Sequence, residues 1–240
     1  MPNDAPSYAK RFYAAASVAE AETGFGVRLD ARQLRTPGGV VFVSPTRALA
    51  ALIAEEWAAQ GELVVPASMP VTQLAFAALD WAARRDERIS YVVAHGQTDL
   101  CCHRADGPAA LAAHQAQTWD PLVAWGAETL GADLAVVTGV IAAAPQPEAI
   151  SALRAHAAAL DDFRLTALAQ ATGVTGSALI AFALLRGRLD ARAAFEAAML
   201  DELWSQKHWG EDAEAQARLL RVRKELEALE RFIGALEGAP

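Results

Sequence analysis

The sequence predicts an α+β protein, with a small β-rich N-terminal domain over residues 1–68, an antiparallel sheet plus one helix, and a larger all-helical domain over 69–240. Three observations predict it. Strand and turn signals crowd the first sixty-odd residues, alanine-rich stretches of helical period fill the remainder, and a proline-bounded stretch from Pro66 to Pro70 separates the two regimes.

In the N-terminal part, Phe25, Val27 and Leu29 alternate with Gly26 and Arg28, Asp30-Ala31 turns, and Gln33 to Thr36 extends. Pro37-Gly38-Gly39 turns again and Val40 to Val43 returns as a strongly β-prone run, so a meander is expected, with Phe12 to Val18 as a further strand. Ser44-Pro45-Thr46 then supplies a helix start. Leu49, Leu52, Ile53 and Trp57 recur at helical spacing until Gly61 stops the helix.

Beyond the boundary, helices are expected over 71–84, 87–95, 108–118, 121–130, 147–160, 165–172, 176–185 and 190–208, with Asp120 and Asp190 as N-caps. Thr98 to Arg104 and Leu134 to Ile141 read as extended or as buried helix, which periodicity alone does not separate. A last helix over 212–236 carries Leu219, Val222, Leu226, Leu229, Ile233 and Leu236 as an apolar stripe. That stripe suits intramolecular packing and a monomer. A dimer seam is the alternative, and it would need more heptads than this.

Composition excludes several classes. With 240 residues, 53% of them hydrophobic and 21% charged, the chain can bury one large core or two modest ones. A net charge of −8 points away from sequence-independent binding of nucleic acid, and no apolar run approaches the roughly 18 residues of a membrane span. The N-terminus MPNDAPSYAKRF lacks the features of a secretory or transit segment, so a bacterial cytoplasmic chain is expected, or a mitochondrial matrix chain if processed. Cys101 and Cys102 are adjacent, which disfavours a disulfide framework or a zinc site and favours burial as small hydrophobes.

The usual chemical motifs are missing. Neither Gly24-Phe25-Gly26 nor the glycines at 173 and 176 lead into the Lys-Ser or Lys-Thr of a phosphate loop. Gly176-Ser177 lacks the second glycine of a nucleophile elbow, and His103 and His114 have no paired metal-ligand spacing. No cofactor, metal or catalytic residue is expected on these signals.

One stretch stands apart: DELWSQKHWGEDAEA, residues 201–215, packs two tryptophans, a histidine, a lysine and five carboxylates together. A metal-assisted or acid/base enzyme would use Glu202, His208 and Asp212. Gly210 argues against that, because a glycine after Trp209 ends or kinks the helix and separates the carboxylates on its two sides. Glu211, Asp212 and Glu214 then fall in the first turn of the last helix, where negative charge suits its dipole. Asp201, Glu202, Trp204 and Trp209 have the composition of a docking surface, although a core role for either tryptophan is equally ordinary.

Several blocks in order then point to a family. RFY, GFGVRLDARQLRTPGG, SPTRALAALIAEEWAAQG and VVPASMPVTQLA near the N-terminus, TDLCCHRA, WDPLVAW and QPEAI in the middle, and DELWSQKHWGEDAEA resemble the alpha-subunit assembly chaperones of the F1 sector of ATP synthase. The resemblance implies a β-rich N-terminal domain, a helical C-terminal domain, and no enzymatic activity or cofactor. It implies binding of the unassembled F1 alpha subunit, which is kept from aggregating until the beta subunit replaces it. Trp57 matches the family's tryptophan, the pair Asp201-Glu202 falls in its carboxylate-bearing block, and Trp209, Gly210, Asp212 and Glu214 match its WG-x-D-x-E pattern. Trp57, Asp201, Glu202, Trp204, Gln206, Trp209, Asp212 and Glu214 are the expected partner-binding residues. The chain departs from the pattern at Ala31 and Gln33, where Gly and Pro are usual, at His103 for tyrosine, and at Trp204-Ser205 for an aromatic-glutamine pair.

Overall fold

The computed structural model describes residues 8–139, 146–210 and 212–238. It divides into two compact units, residues 1–83 with 231–240, and residues 84–230. The first unit thus extends past residue 68.

In that unit β1 (Ala16–Ala21), β2 (Gly24–Leu29) and β3 (Arg32–Gln33) form an antiparallel sheet in the order β1-β2-β3. The register sets Ala16 opposite Leu29 and Ala21 opposite Gly24, and Val27 and Leu29, two apart, are both buried. The strand expected from Phe12 begins only at Ala16, because the residues before it are tied to other partners. The Arg11 N–H donates to Glu62 O, its guanidinium to the carbonyls of Tyr13 and Ala14, and the N–H groups of Ala14 and Ala15 donate to the Asp30 carboxylate. Those backbone donors hold the Asp30 carboxyl below its ordinary pKa. Asp30 also takes the positive φ of its turn, 53°, so Ala31 does not have to.

Val40 to Val43 forms isolated bridges rather than a ladder, since the run is shared between two partners. Val40 O and the Phe42 N–H bond residues 36 and 34, whereas Ser44 exchanges both backbone bonds with Phe25. That last exchange brings the backbones so close at Gly24 (φ 147°) that a Cβ there would lie 2.2 Å from Ser44 O. α1 (Arg47–Ala58) is capped by Thr46, whose hydroxyl accepts from the Leu49 N–H at 3.2 Å. α2 (Pro70–Asp80) is capped by a buried side chain from another helix: the Glu56 carboxylate accepts from Val71 N at 2.9 Å and Thr72 N at 2.7 Å.

The second unit holds α3 (Arg85–Gln97), α4 (Ala109–Leu130), α5 (Pro147–Ala158), α6 (Asp162–Thr175), α7 (Ala178–Leu185), α8 (Ala191–Ala198) and α9 (Leu200–Trp209). α10 (Ala213–Leu236) belongs to it as far as Glu230. A short parallel pair, β4 (His103–Arg104) with β5 (Val137–Thr138), accounts for parts of the two ambiguous segments; residues 140 and 141 lie outside the described residues.

Several helix boundaries differ from expectation. α4 runs without a break through Pro121, and Asp120 is no N-cap: its carboxylate accepts from Arg104 Nη2 at 2.8 Å, while the buried Trp119 indole donates to Ala197 O at 2.9 Å. Those long-range bonds outweigh the local signal of an Asp-Pro pair. The single helix expected over 190–208 is two, α8 and α9, meeting at Met199.

α7 is buried on every side, and a buried aspartate serves its N-terminus. The Asp99 carboxylate accepts from Ser177 Oγ at 2.7 Å, Leu179 N at 3.0 Å and Cys101 N at 3.0 Å. Burial raises its pKa against the pull of those bonds. Cys101 and Cys102 are free and buried, as the sequence suggested, and burial pushes the Cys102 thiol up to about 12.

Candidate protein-docking site

Residues 201–214 occupy α9 and the first turn of α10. Gly210, with φ 99°, ends α9 as expected, because that backbone angle suits a residue without a Cβ. Asp212 then caps α10 by accepting from the Ala215 N–H at 3.0 Å, with Glu214 exposed in the first turn. Glu211 lies outside the described residues.

The two neighbouring carboxylates of α9 have different surroundings. Glu202 pairs with Arg218 of α10 and its side chain keeps only 20% of its exposure, so its charge is met within the chain. Asp201 is exposed and accepts a hydrogen bond at 2.8 Å from Gln115 Nε2, a neutral donor that orients it without cancelling its charge. Gln115 is itself 1% exposed on α4, and its carbonyl accepts from the Ala105 N–H at 2.8 Å, which fixes which end of the amide faces Asp201.

The aromatic residues divide in the same way. Trp204 is half-buried and stacks on His208, centroids 4.2 Å apart and planes 22° from parallel, while His208 Nδ1 donates to Trp204 O at 2.8 Å. Trp209 is 77% exposed. Gln206, half-buried, accepts through Oε1 from Gln216 Nε2 of α10 at 3.1 Å.

An enzyme built on Glu202, His208 and Asp212 has no support in this geometry. Glu202 is ion-paired, His208 is stacked and hydrogen-bonded, and Asp212 is a helix cap beyond the Gly210 break. Among the described residues no group of three or more His, Cys, Asp and Glu side chains could hold a metal ion.

Trp57 does not join the surface. It is 8% exposed in the first unit, its carbonyl accepts from the Tyr13 hydroxyl at 2.7 Å, and the two rings lie 5.7 Å apart. It packs the core of that unit, as its place in the stripe of Leu49 and Ile53 implied. Conversely, sequence reasoning missed Gln115 and Arg218. The signal for Gln115 was available, since it continues the buried stripe of Trp119, Leu122, Gly126 and Leu130, and a polar residue in such a stripe needs a partner.

Comparison with known proteins agrees with this architecture. The family model for the ATP12 chaperone protein matches residues 10–127. The crystal structure of Atp12 from Paracoccus denitrificans is 40% identical, with 95% of this chain and 98% of that one covered and a TM-score of 0.90. An aspartate-to-lysine mutant of P. denitrificans Atp12p is 39% identical over 96% of this chain and 100% of that one, with a TM-score of 0.90. A candidate chaperone from Agrobacterium tumefaciens is 39% identical over 95% and 86%, with a TM-score of 0.88. Matched over almost its whole length in both sequence and fold, this chain belongs to the ATP12 chaperone family.

Proposed function

We propose that the chain is a non-enzymatic assembly chaperone for the F1 sector of ATP synthase. It binds the unassembled F1 alpha subunit through the face made by α9 and the start of α10. The observation that carries this reading is an exposed Trp209 in the same stretch as the outward charges of Asp201, Asp212 and Glu214. A large exposed indole is costly to leave in water and is a frequent anchor of protein interfaces. The family resemblance supports the choice of client.

Covering an exposed subunit interface favours the soluble form by mass action, and a charged rim tunes encounter while leaving the complex open to displacement by the beta subunit. Within the pair, Asp201 is the carboxylate available to a partner, because Glu202 already has Arg218. A monomer fits the burial of Leu219, Leu226 and Leu229 within the chain, which leaves little of the stripe for a dimer seam. No helix among the described residues is long and apolar enough to cross a membrane. A bacterial cytoplasmic setting, or the mitochondrial matrix, is part of the same proposal.

Co-expression with the F1 alpha subunit tests it. A complex containing both chains and a gain in soluble alpha subunit are expected; neither appearing would overturn the reading.

A further inference from the structure

We infer that the groove between α8, α9 and α10 receives a client segment that carries apolar side chains beside a carboxylate. The inference rests on the docking function proposed above and adds the chemistry of what is docked.

The groove encloses about 430 Å³, within the range of pockets that take a small ligand or a short run of side chains. Phe195, Leu203, Leu219 and Leu220 form its apolar wall, and Leu220 is 51% exposed. An isolated exposed leucine would be unremarkable on a surface. This one borders a concave apolar wall, where a partner's side chain removes more water than on a flat surface.

Charge then selects the occupant. Among the described residues, the charged side chains lining the groove are Lys207 and Arg223, and the Arg223 guanidinium lies 4.9 Å from the centre of the Phe195 ring. On a chain of net charge −8, a groove whose charged lining among the described residues is cationic is set apart from its surroundings. It repels a basic segment and attracts a carboxylate held close to an apolar side chain. Gln206 also lines the groove. Its Oε1 is occupied by Gln216, while its Nε2 is buried with no hydrogen-bond partner among the described residues, a donor that an incoming acceptor would satisfy.

The test places the photoreactive residue benzoylphenylalanine at position 220, irradiates the full chain with purified F1 alpha subunit, and maps the cross-link by mass spectrometry. In parallel, capture of the alpha subunit is compared for the wild type, Leu220→Asp, and Lys207→Glu with Arg223→Glu. The cross-link is expected in an alpha-subunit segment with an apolar residue within a few positions of Asp or Glu, and both variants are expected to weaken capture at least tenfold. Should the double variant fail to fold, Lys207→Glu alone, at an exposed side chain, is expected to weaken capture about threefold or more. A cross-link to a basic segment or between two copies of this chain would overturn the inference, as would undiminished capture by folded variants. If the wild type captures the alpha subunit and the variants do so equally well, only the groove assignment falls. If the wild type captures none, the proposed function falls and takes the groove with it.

Discussion

Asp99 and Asp201 are aspartates of the same helical unit with opposite surroundings. Asp99 is buried, and its two oxygens meet a hydroxyl and two backbone N–H groups, so it is consumed in building the N-terminus of α7. Asp201 receives one neutral hydrogen bond from Gln115 and otherwise faces out, in the same stretch as an indole left in water. A carboxylate at a helix start can therefore serve the fold or face outward, and the number of donors turned toward it separates the two roles.

The contrast can be tested by substitution. The largest effect is expected at the inner site. Asp99→Ala leaves Ser177, Leu179 and Cys101 with unpaired buried donors and should cost about 3 kcal/mol in chemical denaturation. A loss under about 1 kcal/mol would mean that the network is dispensable.

Gln115→Leu joins the two cases, since it removes a buried amide that serves both the Ala105 N–H and Asp201. A loss of about 1–2 kcal/mol is expected, with restoration by Gln115→Glu absent because a carboxylate there would face Asp201.

Asp161 is intermediate, capping α6 at a partly exposed position through the N–H groups of Phe163 and Arg164. Burial pushes its pKa up, but the backbone and guanidinium of Arg164 together hold it below the ordinary value. Asp161→Ala should cost about 1 kcal/mol at neutral pH. Because the folded-state pKa is the lower one, that contribution is present above the unfolded value of 3.8 and is lost as pH falls through the folded value. The gap between wild type and variant should therefore close in acid, which denaturation at several pH values would read out.

The smallest effect on stability is expected at Trp209→Ala, within about 0.5 kcal/mol, because the ring is mostly in solvent. If Trp209 anchors the partner, the same change should weaken capture at least tenfold, equivalent to about 1.4 kcal/mol.

Local signals made much of this legible in the sequence. The Asp30-Ala31 turn between β2 and β3, the Thr46 and Asp190 caps, and the break at Gly210 all rest on residues whose own chemistry dictates the backbone. Failures came where a distant residue decided the outcome. Asp120-Pro121 looks like a helix start until Arg104 and Ala197 take the neighbouring side chains, and Phe12 to Ala15 looks like a strand until the Asp30 carboxylate claims the Ala14 and Ala15 N–H groups. The proposed docking face was legible as an unusual composition. Which carboxylate remains available was not, because that depends on Arg218 and Gln115, distant in sequence from the pair they sort.

The most direct measurement is capture of purified F1 alpha subunit by Asp201→Asn. This change keeps the acceptor for Gln115 and removes only the charge, whereas Glu202→Lys would also set two cations together at Arg218. The account predicts an unchanged denaturation midpoint with capture weakened at least threefold. Capture as tight as the wild type's would contradict it.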